Sequence, residues 1–164
     1  MVAIERGSIE DVDAVADMWV ELAESQREFG SHLFADTNRA TVRETTAQNA
    51  VGDQLLVARE ESADDADEIV GFVTFGVESE GYDQDVTRGV VRNIYVEPDR
   101  RGEGIGSDLL AGAERRLADR GADAVSLDVM ADNEDARRFY RRHGYAPHRV
   151  EVEKSVESDT LTKE

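Results

Sequence analysis

Val91–Leu117 reads VRNIYVEPDRRGEGIGSDLLAGAERRL. An extended run ends at Pro98, Arg100 and Arg101 follow, three glycines alternate at Gly102, Gly104 and Gly106, and an amphipathic helix begins near Ser107. Glycines that can take positive φ and carry no side chain let successive backbone N–H groups converge on an oxyanion. The helix start adds unpaired N–H groups and the positive end of its dipole. Strand, turn and helix together form a seat for a phosphate-bearing ligand, with a flexible turn as the plainer alternative. Spacing narrows the ligand. Gly-x-x-x-x-Gly-Lys-Ser/Thr is absent, which removes the phosphate loop of nucleotide hydrolases. The dinucleotide fingerprint Gly-x-Gly-x-x-Gly would need glycine where Ser107 stands.

The chain has 164 residues, enough for one domain that buries about two-thirds of its unfolded surface. It has no cysteine, which excludes disulfides, thiolate nucleophiles and Cys-based metal sites. Three histidines scattered without cysteine give no metal-ligand spacing, so no metal is expected. The opening MVAIERGSIEDVD lacks a signal peptide's apolar region, and no apolar run is long enough to span a bilayer. A soluble, cytoplasmic protein is the expectation. Thirty-seven acidic residues against nineteen basic ones give a net charge of −18, and only Lys154 and Lys163 are lysine. Nucleic acid and anionic membranes are poor partners for such a surface. Acids spread along the whole chain point to a halophilic cytoplasm, where a Debye length of roughly 3 Å screens self-repulsion; an ordinary acidic protein is the alternative.

In chain order, Val2–Gly7 predicts a first strand. Ser8 stands at a helix N-cap, and Val12, Val15, Ala16, Trp19, Leu22 and Ala23 fall at helical spacing to about Phe29. A loop with His32 and Phe34 leads to a second helix over Arg39–Val51 with a thin apolar stripe. Gln54–Arg59 and Glu68–Val77 are strands joined by the polar ESADDAD; with the organising strand they predict an antiparallel meander. The helix burying Ile105, Leu109, Leu110, Ala113 and Leu117 stops near Gly121. Ala124–Val129 then returns parallel to the organising strand by a right-handed crossover. A last helix is capped by Asp132 or Asn133 and ended by Gly144, and His148–Val156 alternates as a strand before the polar tail SDTLTKE.

This stretch resembles the acetyl-coenzyme A motif of the GCN5-related N-acetyltransferases, Arg/Gln-x-x-Gly-x-Gly/Ala, met by Arg101, Gly104 and Gly106. Leu127–Tyr145 is similar to that family's later motif of Asn, Ala, an aromatic-Tyr pair and Gly-aromatic. The resemblance covers nearly the whole chain in element order. It implies an α/β (α+β) fold: a mixed, mostly antiparallel sheet of about six to seven strands, splayed at strands four and five, with about four helices on both faces. One domain over 1–155 and a tail over 156–164 follow from it, with room for a homodimer through the tail.

The implied activity is transfer of acetyl from acetyl-CoA, as co-substrate, to an amine on a small molecule or peptide. The resemblance assigns acetyl-CoA to Ile94, Tyr95 and Val96 of the strand and to Arg100, Arg101, Gly102, Glu103, Gly104, Ile105, Gly106 and Ser107 of the turn and helix start. Asn133 matches the residue that bonds the pantetheine arm or a water, and Tyr140 the acid that protonates departing thiolate. A thiol near pKa 8.5 against a phenol near 10 makes that role chemically sound; the alternative for Tyr140 is a core aromatic. Where relatives often carry a strand carboxylate, this chain has Arg92 and Asn93. Glu28, Glu78, Glu80, Glu97, His32 and His148 remain as bases, and His143 reads as structural. A coenzyme A sensor without catalysis is the rival from another class, and a nucleotide-dependent oxidoreductase a more distant one.

Overall fold

The computed structural model describes residues 1–61, 68–79 and 81–157. Five strands form one sheet in the order β1 (Val2–Arg6), β2 (Leu55–Glu60), β3 (Glu68–Val77), β4 (Arg88–Val96) and β5 (Ala124–Ser126). The first four neighbours pair antiparallel, and β4 pairs parallel with β5. α1 (Val12–Arg27) and α2 (Arg39–Val51) lie toward one face, where Val15, Met18, Ala50, Leu55, Val57, Phe72 and Tyr95 make a core. α3 (Ile105–Asp119) covers the other, burying Ile105, Leu109, Leu110, Ala113 and Leu117 on Leu56, Val73, Phe75 and Val91. α4 (Glu134–Arg142) adds Phe139 and Tyr140 to that core. Alternation along β3 explains the division, since Phe72 meets one core and Val73 and Phe75 the other.

Two irregularities shape β4. Thr74 is opposite Asn93 but Phe75 is opposite Val91, so Arg92 is an extra residue, a β-bulge. The bulge breaks alternation and turns both Arg92 and Asn93 to the α1 face: Asn93 Nδ2 donates to Thr74 Oγ1 at 3.3 Å, and a Cβ on Gly76 would lie 2.5 Å from Arg92 Nη1. The second irregularity is that β5 pairs only with Arg88, Gly89 and Val90. Beyond Val90, β4 loses its partner on that side, and the sheet opens.

The ion pairs show why so acidic a chain closes. Asp11, almost buried, accepts two bonds from Arg59 at 3.0 and 3.1 Å and the Ser8 N–H at 2.9 Å. Asp53, at φ +55°, gathers Arg6, Arg116 and Arg120 and so ties β1 and α3 to the turn after α2. Asp tolerates the left-handed region better than most residues.

Three expectations need correction. The sheet has five strands among the described residues, where six to seven were expected. His148–Val156 forms no strand: Val150, Val152 and Val156 are 79%, 87% and 84% exposed, and Glu153 meets His32 Nε2 at 2.7 Å by the loop after α1. Alternation makes a strand only where an edge receives its hydrogen bonds, and this segment has taken a path away from β5. The strand expected over Ala124–Val129 stops at Ser126, because β4 has diverged by then. The ESADDAD connection falls mostly, and Glu80 and residues 158–164 wholly, outside the described residues.

Candidate active site

The free edge of β4 is set by register. Glu97 donates its N–H to the Val70 carbonyl at 2.9 Å, so by two-residue alternation Tyr95 and Asn93 bond toward β3. The N–H and C=O groups of Ile94 and Val96 therefore face the other way, into the opening past β5. Arg101 Nε reaches the Val96 carbonyl from that side at 3.0 Å, as this orientation requires. The Tyr95 side chain turns to the opposite face, where its hydroxyl donates to Glu21 at 2.7 Å; burial and that carboxylate raise its pKa.

Pro98–Arg100 forms a single 3-10 turn that carries the chain from β4 to the glycines. Gly102 and Gly104 adopt φ +83° and +85°, the left-handed region that admits glycine without strain, and nothing lies within 4 Å of a Cβ at either. No side chain caps α3, so the N–H groups of its first turn stay available. Gly106 packs against α4: a Cβ there would lie 3.5 Å from Phe139 and 3.7 Å from Val96. The two arginines diverge. Arg100 is held by Glu60 at 3.2 Å and by Glu103, whose hydrogen bonds raise its pKa, whereas Arg101 lies with its guanidinium 5.4 Å from the Tyr95 ring centre. Arg100 and Glu103 thus neutralise each other, and Arg101 is the cation at the groove.

α4 seats the second motif. Asn133 caps it, its Oδ1 accepting from Ala136 N–H at 3.1 Å, which settles the cap in favour of Asn133 and leaves its amide nitrogen without a partner among the described residues. Phe139 and Tyr140 meet edge to face at 5.2 Å, and Tyr140 meets Tyr145 at 5.9 Å. The Tyr140 hydroxyl has no hydrogen-bonding partner among the described residues, and burial pushes its pKa up to about 12. His143 joins the two motifs. Its Nδ1 donates to the Phe139 carbonyl at 2.8 Å, so in the neutral ring Nε2 accepts the Ser107 hydroxyl at 2.9 Å.

Where the sheet opens, a cleft of about 40 Å³ is lined by Leu22 and Gln26 of α1, Val91, Arg92, Asn93 and Ile94 of β4, Leu127 and Asp128 beyond β5, and Tyr140. A larger concavity of about 420 Å³ lies elsewhere, between α3, β5 and Gly144–Ala146. The small cleft has the chemistry: it is continuous with the free N–H groups of β4 and holds a phenol, a guanidinium and a carboxylate. None of Glu28, Glu78, Glu97, His32 and His148 lines it. Glu97, which follows β4, has a pKa raised by burial and by Glu21. Asp128 was not among the sequence candidates. It fell inside an expected strand, and its only signal was an acid closing the apolar run of β5. Among the described residues no group of His, Asp and Glu is placed to hold a metal ion, and no helix is long and apolar enough to cross a membrane.

The pattern of the acetyltransferase (GNAT) family matches residues 17–145. A mycothiol acetyltransferase of Clavibacter michiganensis subsp. michiganensis is 35% identical over 140 residues, which cover 84% of this chain and 42% of that protein. The chain spans less than half the length of that relative. A mutant of the BH1408 protein from Bacillus halodurans superposes with a TM-score of 0.79 at 18% identity, over 94% of this chain and 99% of that one. The PaiA N-acetyltransferase from Thermoplasma acidophilum, in complex with coenzyme A, superposes at 0.73 with 19% identity, over 92% and 93%. At these identities the two structures speak for the fold.

Proposed function

Since the chain belongs to the acetyltransferase (GNAT) family, we propose that it is an acetyl-CoA dependent N-acetyltransferase that joins acetyl to a primary amine by direct attack in a ternary complex. The observation that carries this reading is the cleft itself, where N–H groups of β4 and the Tyr140 hydroxyl stand side by side without a partner among the described residues. The residues present fit acetyl-CoA. Gly102 and Gly104 hold an open, left-handed turn at the uncapped start of α3, suited to a pyrophosphate, with Arg101 as the near cation. Ile94 and Val96 offer main-chain groups to an extended amide-bearing arm, and Asn133 its amide nitrogen. Arg100 and Glu103, paired to each other, position the turn.

Acetyl-CoA supplies an acetyl carbon activated as a thioester. The Ile94 N–H stabilises charge developing on the carbonyl oxygen, and preorganised donors of this kind are often the largest catalytic factor. The amine nitrogen forms the new C–N bond as the C–S bond breaks, and Tyr140 gives its proton to sulfur. The proton lost by the amine leaves through water to a group outside β4, of which Asp128 is the carboxylate lining the cleft, or the amine arrives neutral. Arg92 and Asn93 cannot take it.

The absence of a carboxylate on β4 keeps a non-catalytic coenzyme A sensor as the second reading. Thiol release from acetyl-CoA, followed with a panel of primary amines, separates the two: amine-dependent release is expected, and tight coenzyme A binding without it would establish the sensor. A cytoplasmic, high-salt setting and a homodimer through the tail belong to the same proposal. The salt setting rests on charge alone, and the bacterial relative lends it no support.

A further inference from the structure

Arg92 is an unusual occupant of the cleft. The bulge at this residue sends its side chain to the α1 face, and its guanidinium lies over Gly76 of β3, 2.5 Å from where a Cβ would be, with Gln54 Nε2 3.0 Å from the same point. The glycine is the floor that admits it. Eight of the seventeen arginines form ion pairs among the described residues, and Arg92, which faces the cleft, makes no ion pair or hydrogen bond with any of them. Among the described residues it is the one cation lining the cleft and Asp128 the one carboxylate, also without an ion pair there. A bare primary amine, a cation, could approach Asp128 but would be repelled by Arg92 and has no group of its own to engage the guanidinium. An amine that also carries an anion would meet opposite charge at both ends.

We infer that the acceptor amine carries an oxyanion group, a carboxylate or a phosphonate, and that the Arg92 guanidinium receives it in the cleft between α1 and β4. This rests on the acetyl-transfer reading above for the identity of the cleft. Guanidinium forks match both oxyanions with paired N–H donors, and such charge-assisted bonds are strong enough for discrimination of about tenfold or more. Arg92 is then a specificity residue, and Gly76 positions it.

The test pairs β-alanine, γ-aminobutyrate and 2-aminoethylphosphonate with neutral-ended counterparts, β-alaninamide, γ-aminobutyramide and ethanolamine. kcat and KM are measured separately with acetyl-CoA, and binding by calorimetry in the presence of coenzyme A, for wild type, Arg92→Gln, Arg92→Lys and Gly76→Ala. The expected result is a preference of about tenfold or more for at least one acid over its counterpart, expressed mainly in KM. That ratio should fall to near one in Arg92→Gln, return in part in Arg92→Lys, and weaken in Gly76→Ala, where the added methyl displaces the guanidinium but leaves the charge. The carboxylates against the phosphonate show which oxyanion fits. Equal handling of acids and neutral amines by wild type, or an acid preference that survives Arg92→Gln, would overturn the inference and leave acetyl transfer standing. Arg92-dependent binding of acids without acetylation of any amine would uphold it and overturn the transfer reading.

Discussion

Tyr140 joins a hydroxyl without a hydrogen-bonding partner among the described residues to a pKa raised by burial to about 12. A phenol bonded to a carboxylate, as Tyr95 is to Glu21 and Tyr145 to Glu114 at 2.7 Å, has its proton committed. Tyr140 has its proton free and keeps it across the working range. As the acid it should contribute about 10²–10⁴-fold, so Tyr140→Phe should lower kcat by such a factor while calorimetry shows acetyl-CoA affinity nearly unchanged. The wild-type rate should rise with pH along the acceptor amine's own titration, with no falling limb below about pH 10, because the enzyme acid titrates only near 12. An unchanged kcat in Tyr140→Phe, with chemistry shown to limit turnover, would return this residue to the core. The raised pKa also links to stability. A phenol near 10 in the unfolded chain and near 12 in the fold favours folding fully below pH 10, and that contribution is lost as pH climbs through 12.

Among the elements, the turn from β4 into α3 concentrates the local requirements of the site. Gly104 sits at φ +85° with open space around it, so a branched side chain would fit sterically but strain the backbone and shield the N–H groups behind it. Gly104→Val should therefore weaken acetyl-CoA binding about tenfold or more in calorimetry, on the scale of left-handed strain of roughly 1–2 kcal/mol plus lost contacts; wild-type affinity would remove the ligand from this turn. This turn was legible in the sequence because glycine spacing and a helix start are local signals. Arg101, Asn133 and Tyr140 were legible for the same reason, as members of short motifs. The position of the β4 bulge was not, since register depends on which residue of β3 lies opposite, and Arg92 and Asn93 would alternate between faces in a regular strand. Asp128 was missed for a related reason: Ala124–Val129 carries a strand pattern, and only the divergence of β4 after Val90 ends β5 at Ser126. His148–Val156 failed in the opposite sense, a strand pattern with no edge to complete it.

The whole molecule has to reconcile a net charge of −18 with a closed fold, and two electrostatic effects compete as salt is added. Screening weakens attractive pairs such as Arg39–Asp17 and Arg43–Asp13, but these are exposed and contribute little to begin with. The Asp11–Arg59 pair is largely shielded from solvent and loses little. Against this stands repulsion among the excess carboxylates, which acts over the whole surface when the Debye length is about 30 Å at 0.01 M and is nearly extinguished at about 3 Å in 1 M salt. The long-range repulsion belongs to every acid, the attraction only to contacting pairs, so repulsion should dominate the balance. The melting temperature should then rise steadily from dilute buffer to molar KCl, with sodium chloride giving much the same curve because charge screening does not distinguish the two cations. Sulfate, which also strengthens apolar burial by exclusion from the surface, should raise it further. A melting temperature that stays flat or falls in KCl while still rising in sulfate would show that hydrophobic burial alone responds to salt, and that the paired arginines already balance the acidic surface.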